Sequence, residues 1–213
     1  MVMGLSPLQA GLWSVPSALG FVVGSMLAPM IVRHIHPGLA VMAGLLLALV
    51  GFCVLTQVGG ASGLAILVTG SVIFALGLAP VVTLGTDLIV GSAPPERAGS
   101  AAAISETSSE FGGALGIAVL GSIVRAVYRH AMEGAVLSGV PDAAAQAARS
   151  TLGGAVAVVA NMPAASGAAL LDASRGAFAQ AFQVTATVSA ALVLATAILA
   201  ALVLRQARAN AAV

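Results

Sequence analysis

Charge is scarce in this chain. Only 7% of its 213 residues are Asp, Glu, Lys or Arg, against about a quarter in a soluble domain. So few charges cannot solvate the surface of a water-soluble globule of this size. Net charge is +1 and no basic run occurs, which argues against nucleic acid as a partner. The one cysteine, Cys53, lies in an apolar stretch; it excludes an internal disulfide and offers no cluster for a metal. The N-terminus lacks the Lys/Arg-rich start of a signal peptide, so no cleaved leader is expected. His34, His36 and His130 are scattered, and no His/Cys/Asp spacing forms a ligand set. No Ser/His/Asp arrangement and no Gly-rich loop before a lysine is present. An enzyme is therefore not expected, nor any cofactor beyond a proton as coupling ion.

Apolar residues are abundant: 60% of the chain, with mean hydropathy +1.09. Roughly 20 apolar residues cross a bilayer. Five stretches qualify: Leu8 to Val32, Gly38 to Val58, Gly63 to Val90, Ala98 to Val127 and Phe178 to Leu204. The fold class expected is an all-α polytopic membrane protein of about five transmembrane helices. Its 25 glycines suit close helix contacts in lipid. Pro80 predicts a bend in the third helix, because proline removes a helical hydrogen bond.

Residues 1–127 then form four membrane helices, and 178–213 the last helix with a short tail. Between them, 128–177 is far too long for a turn. It reads as an extracytoplasmic loop, partly helical, with a helix over Asp142 to Met162 and a reversal at Pro163 and Gly167. The short connections gather Arg33, Arg97, Arg205 and Arg208 on one side. Positive charge in short loops marks the cytoplasmic side. The expected placement is the plasma (inner) membrane, N-terminus external and C-terminus cytoplasmic. An odd number of spans with an external start suggests a chain lacking its beginning.

Glu106 and Glu110 lie inside the fourth stretch. A carboxylate near the bilayer midplane costs on the order of 2.5–3.5 kcal/mol on insertion scales. At 1.5 Å per residue, Glu106 lies about 12 Å and Glu110 about 18 Å beyond Ala98, in a core about 30 Å thick. One helical turn apart, they share a face. Such a pair can hold a proton that an entering cation displaces, which is a physical basis for exchange and calls for a water-filled cavity. The plainer reading has both acids protonated and satisfied by Ser105, Thr107, Ser108 and Ser109.

Asp87, near the end of the third helix, either pairs with Arg97 or gates the inner mouth. Arg33 ends the first helix as a headgroup anchor or a gating contact. Gly20-x-x-x-Gly24 and Gly112-x-x-x-Gly116 read as packing faces.

Three segments together resemble a known family. They are GLSPLQAGLWSVPSALGFVVGSMLAP near the start, APPERAGSAAAISETSSEFGGALGIAVLGS in the middle, and the long loop followed by a last helix ending in arginine. The chain resembles the C-terminal part of the major facilitator superfamily, in its branch of fourteen-helix drug–proton antiporters that export quaternary ammonium compounds and other lipophilic cations. The resemblance implies that Glu106 and Glu110 match acidic positions tied to proton coupling and cation recognition. It implies that Pro95-Glu96-Arg97 is the cytoplasmic connection before the penultimate helix. The partners it implies are the lipid bilayer, lipophilic cations, and a missing N-terminal half in the same or a separate chain. One incomplete half cannot enclose a cavity between two rocking halves. The alternatives are an exporter of lipids or other amphiphiles, and a non-transporting membrane subunit or remnant.

Overall fold

The structure, a computed structural model, describes residues 6–59, 62–134, 142–160 and 162–210. The expectations about the start at Met1, the middle of the turn at 60–61, the stretch 135–141 and the tail 211–213 lie outside the described residues. Described elements are all helical: α1 (Pro7–Ile31), α2 (Pro37–Leu55), α3 (Gly63–Gly91), a 3₁₀ turn (Pro95–Arg97), α4 (Ala98–Glu133), α5 (Asp142–Ser150), α6 (Leu152–Val159) and α7 (Ala164–Asn210). Five of these helical stretches are long and apolar enough to cross a membrane. The chain is a polytopic membrane protein.

Local chemistry sets the helix starts. Ser6 and Gln9 form a capping box: the Gln9 N–H donates to Ser6 Oγ, and the Ser6 N–H donates to Gln9 Oε1. Pro7 and Pro37 occupy first-turn positions, where a missing N–H costs nothing. His36 caps α2 by accepting from the Gly38 N–H.

Glycine governs the packing of the first three helices. A Cβ on Gly44 would lie 2.6 Å from the Gly77 carbonyl oxygen, and one on Gly51 would lie 2.5 Å from the Phe74 nitrogen. A Cβ on Gly70 would meet the Leu55 side chain. These pairs run in opposite chain directions, so α2 and α3 are antiparallel. On the other side of α3, Gly20 sits against Val72 and Gly24 against Leu76 and Ala79. The Ser25 and Thr83 hydroxyls bond across the same seam at 2.9 Å. That order makes α1 and α3 parallel. The Gly20/Gly24 face therefore packs as the sequence implied. Pro80 is buried within a continuous α3, and its missing N–H is the one that would bond Leu76 O, the carbonyl packed against Gly24.

α7 joins this bundle along α2. Leu55, Val58 and Ala186 form one core, and Gln183 Nε2 donates to the Val58 carbonyl at 2.7 Å. At its other end α7 runs beside α4, where α5 and α6 pack on both. Tyr128, Met132, Ala148, Leu152, Ala155, Leu170, Ala177 and Ala181 form this second core.

The structure moves several boundaries. α4 does not end at Val127 but continues to Glu133, and α7 starts at Ala164 rather than Phe178. The apolar runs stop at Val127 and begin again at Phe178, but Ala-rich sequence continues both helices and the second core stabilises the extensions. The single helix expected over Asp142 to Met162 is two. Thr151 is extended, and its hydroxyl accepts from the Gly154 N–H to start α6. Gly167, expected at the reversal, lies buried inside α7; the reversal precedes it, next to Pro163.

Candidate functional site

α4 carries the candidate site, and it is the most exposed of the spanning helices: only 6% of its most apolar window is buried. Ser105 and Gly116 are half-buried, but Glu106 and Glu110 are both exposed. Among the described residues, no hydrogen bond or ion pair reaches either carboxylate. The hydroxyls that could have satisfied them bond elsewhere or stay open. Thr107 Oγ1 donates back to the Ala103 carbonyl at 2.8 Å, the usual way a mid-helix threonine meets its own backbone.

The other sides of α4 near the acids are apolar and uncovered too, and so is the continuation of the acids' own side at Ile117. Ile104, Phe111 and Ile117 are 67%, 65% and 79% exposed. A shallow depression of about 240 Å³ is lined by Ala103, Ile104, Thr107 and Ser108. Among the described residues, that depression beside the acids is open rather than enclosed. The Gly112-x-x-x-Gly116 face, expected to pack, has nothing within 4 Å of either position, and the same holds at Gly113 and Gly121. These glycines of α4 thus differ from Gly44 and Gly51 of α2 and Gly70 and Gly77 of α3. They leave a smooth strip beside the acids that no described helix fills.

Arg33, Asp87 and Arg97 come to one end of the bundle. Arg33 follows the end of α1, Asp87 is one turn before the end of α3, and Arg97 closes the 3₁₀ turn before α4. All three are exposed. Asp87 does not pair with Arg97. Toward the opposite end, His130 meets Glu133 at 3.2 Å and Asp172 meets Arg175 at 3.9 Å. Exposure explains the missing pair: two solvated side chains gain little by holding one geometry.

Sequence reasoning passed over Tyr128 except as a boundary. It is 2% exposed, and its hydroxyl donates to the Ala148 carbonyl of α5 at 3.0 Å. The available signal was that this is the chain's one tyrosine, placed at the end of an apolar, membrane-length run beside a segment too long for a turn.

Two unpartnered acids on an open face of a membrane-crossing helix suit a transporter better than a structural bundle. Known proteins bear on that choice. The multidrug efflux pump LfrA of Mycolicibacterium smegmatis is 36% identical over 92% of this chain and 39% of its own length. The chain is related to bacterial drug-efflux proteins. The methyl viologen resistance protein SmvA of Salmonella typhimurium is 30% identical over 83% of the chain and 35% of its own length. A tetracenomycin C resistance and export protein of Streptomyces glaucescens is 33% identical over 58% of the chain and 23% of its own. The chain thus spans about two fifths or less of the length of these relatives. No family model matches it.

Proposed function

We propose that this chain is the C-terminal portion of a proton-coupled multidrug efflux transporter of the fourteen-helix major facilitator branch, exporting lipophilic and quaternary cations. The observation that carries this reading is the open face of α4, with Glu106 and Glu110 lacking any partner among the described residues. A lipid-facing carboxylate is costly in the hydrocarbon core. Covered by a facing half, the same face becomes one wall of a water-lined site. That half, in the same or a separate chain, would complete the cavity.

In this reading Glu110 is the main group exchanging a proton for a cation, and Glu106 is its partner one turn nearer the start of α4. Charge complementarity favours cations, and the exposed Ile117, two turns beyond Glu110 on the same side of α4, favours apolar bodies. Arg33, Asp87 and Arg97 form the inner rim, as headgroup anchors or gate. The names of the relatives support efflux; the cation preference and the proton coupling rest on the acids.

Full-length protein in sealed vesicles tests the proposal. Tetraphenylphosphonium should accumulate against its gradient when a proton gradient is imposed, and stop when an ionophore collapses it. Movement of the cation indifferent to the proton gradient would falsify the coupling. Absence of any movement, with neutral amphiphiles carried instead, would favour an exporter of lipids.

A further inference from the structure

Tyr128 follows Glu110 by eighteen residues, about five full helical turns, so the two side chains project at the same angle about 27 Å apart along α4. One face of one helix therefore has two fates. At Glu110 it is open. At Tyr128 it is closed by the α5–α6 cap, with the phenol buried, bonded to the Ala148 carbonyl at 3.0 Å and also meeting the buried Ser174 hydroxyl of α7. Met132, one turn further, is 1% exposed under the same cap. Between the two ends, positions 112, 113, 116 and 121 have nothing within 4 Å of an added Cβ. α4 is thus held at the cap and little supported beside the acids.

We propose that Tyr128 is the joint through which α4 carries the loading state of the acid pair to the α5–α6 cap. The idea rests on the transport reading above. A helix with few side contacts along its middle turns or slides as a rod. A hydroxyl–carbonyl bond tolerates only a few tenths of an ångström before it weakens. A turn of about 20° moves a side-chain tip about 6 Å from the axis by about 2 Å. That is enough to break the Tyr128–Ala148 bond while the apolar contacts of the cap merely slide. The cap has its own flex point at Thr151, where the backbone is extended between α5 and α6. Among the described side chains, the other charged groups on elements touching α4 are Asp87 on α3, Glu96 and Arg97 in the 3₁₀ turn, Asp142 and Arg149 on α5, and Asp172 and Arg175 on α7. None of the contacts described joins them to Glu110.

The test uses the purified full-length protein with Cys53→Ser and a reporter Ala145→Cys, a position on α5 that is 8% exposed. Its maleimide labelling rate reports opening of the cap. Saturating tetraphenylphosphonium should change that rate, and Glu110→Gln should abolish the change. Tyr128→Phe keeps the ring but removes the bond. It should raise the resting rate about fivefold, the worth of one neutral hydrogen bond, and erase the response to the cation. A Tyr128→Phe protein that labels faster yet responds as the parent does would reduce Tyr128 to packing and overturn the joint. A parent that does not respond overturns it too. If Tyr128→Phe does not accumulate, a response surviving in Glu110→Gln still sinks the proposal. Export measured on the same proteins separates the two ideas: loss of export in Glu110→Gln without any cap response leaves the transport reading standing and removes the joint.

Discussion

Glu110→Gln is expected to abolish proton-driven export of lipophilic cations while leaving membrane insertion intact. Glutamine matches the carboxylate in volume and can neither hold a negative charge nor release a proton. Nothing in the fold depends on that charge, because no described residue bonds it and the side chain is exposed. Losing one partner of a desolvated charge pair costs about 2–5 kcal/mol, roughly thirtyfold or more in affinity. The variant should therefore reach the membrane at parental levels and fail in cation binding and exchange together. Glu106→Gln should weaken binding less, since it stands a turn closer to the start of α4. Direct binding of tetraphenylphosphonium with vesicle flux checks both. Unchanged exchange in Glu110→Gln would remove that residue from the mechanism and leave its exposed carboxylate unexplained.

Gly77→Val is expected to have the largest effect on folding. A Cβ there would collide with the Ala48 nitrogen and lie 2.6 Å from the Gly44 carbonyl oxygen. These are backbone atoms, which cannot rotate aside as a side-chain tip can. The antiparallel α2–α3 contact would have to separate, taking with it the Gly51–Phe74 approach. Overpacking a tight core costs about 1–3 kcal/mol where side chains can yield, and the upper end applies here. Gly113→Val is the control, because nothing lies within 4 Å of position 113. Thermal unfolding in detergent should separate the two substitutions clearly. Equal stability would show that the α2–α3 seam is looser than its geometry.

The five spans were legible because a bilayer-length apolar run is a strong signal with few competing explanations. The acids stood out for the same reason: in so apolar a context, each charge is conspicuous. The helix ends were less legible. The apolar runs were expected to end at Val127 and resume at Phe178, yet helix continues past the first to Glu133 and precedes the second from Ala164. What extends α4 and α7 is packing between residues far apart in sequence, with Tyr128 and Met132 of α4 sharing one core with Ala148 of α5, Leu152 of α6 and Leu170 of α7, and hydropathy does not report it. Glycine roles were half legible. Gly20-x-x-x-Gly24 and Gly112-x-x-x-Gly116 share one pattern, but only the first has a neighbour. A small-residue motif states that a helix could approach, and the tertiary fold decides whether one does. The absent Asp87–Arg97 pair follows similarly: proximity in sequence across a turn did not bring two solvated side chains together.

The length of α4 has a consequence for how the molecule sits in lipid. Its 36 residues make a rod of about 54 Å, against a hydrocarbon core of about 30 Å. The surplus lies at the end shared with α7 and the α5–α6 cap, whereas α1, α3 and the start of α4 finish together at the other end. Viewed edge-on in a lipid nanodisc, this part of the protein would be lopsided, nearly flush with one leaflet and standing about 20 Å proud of the other.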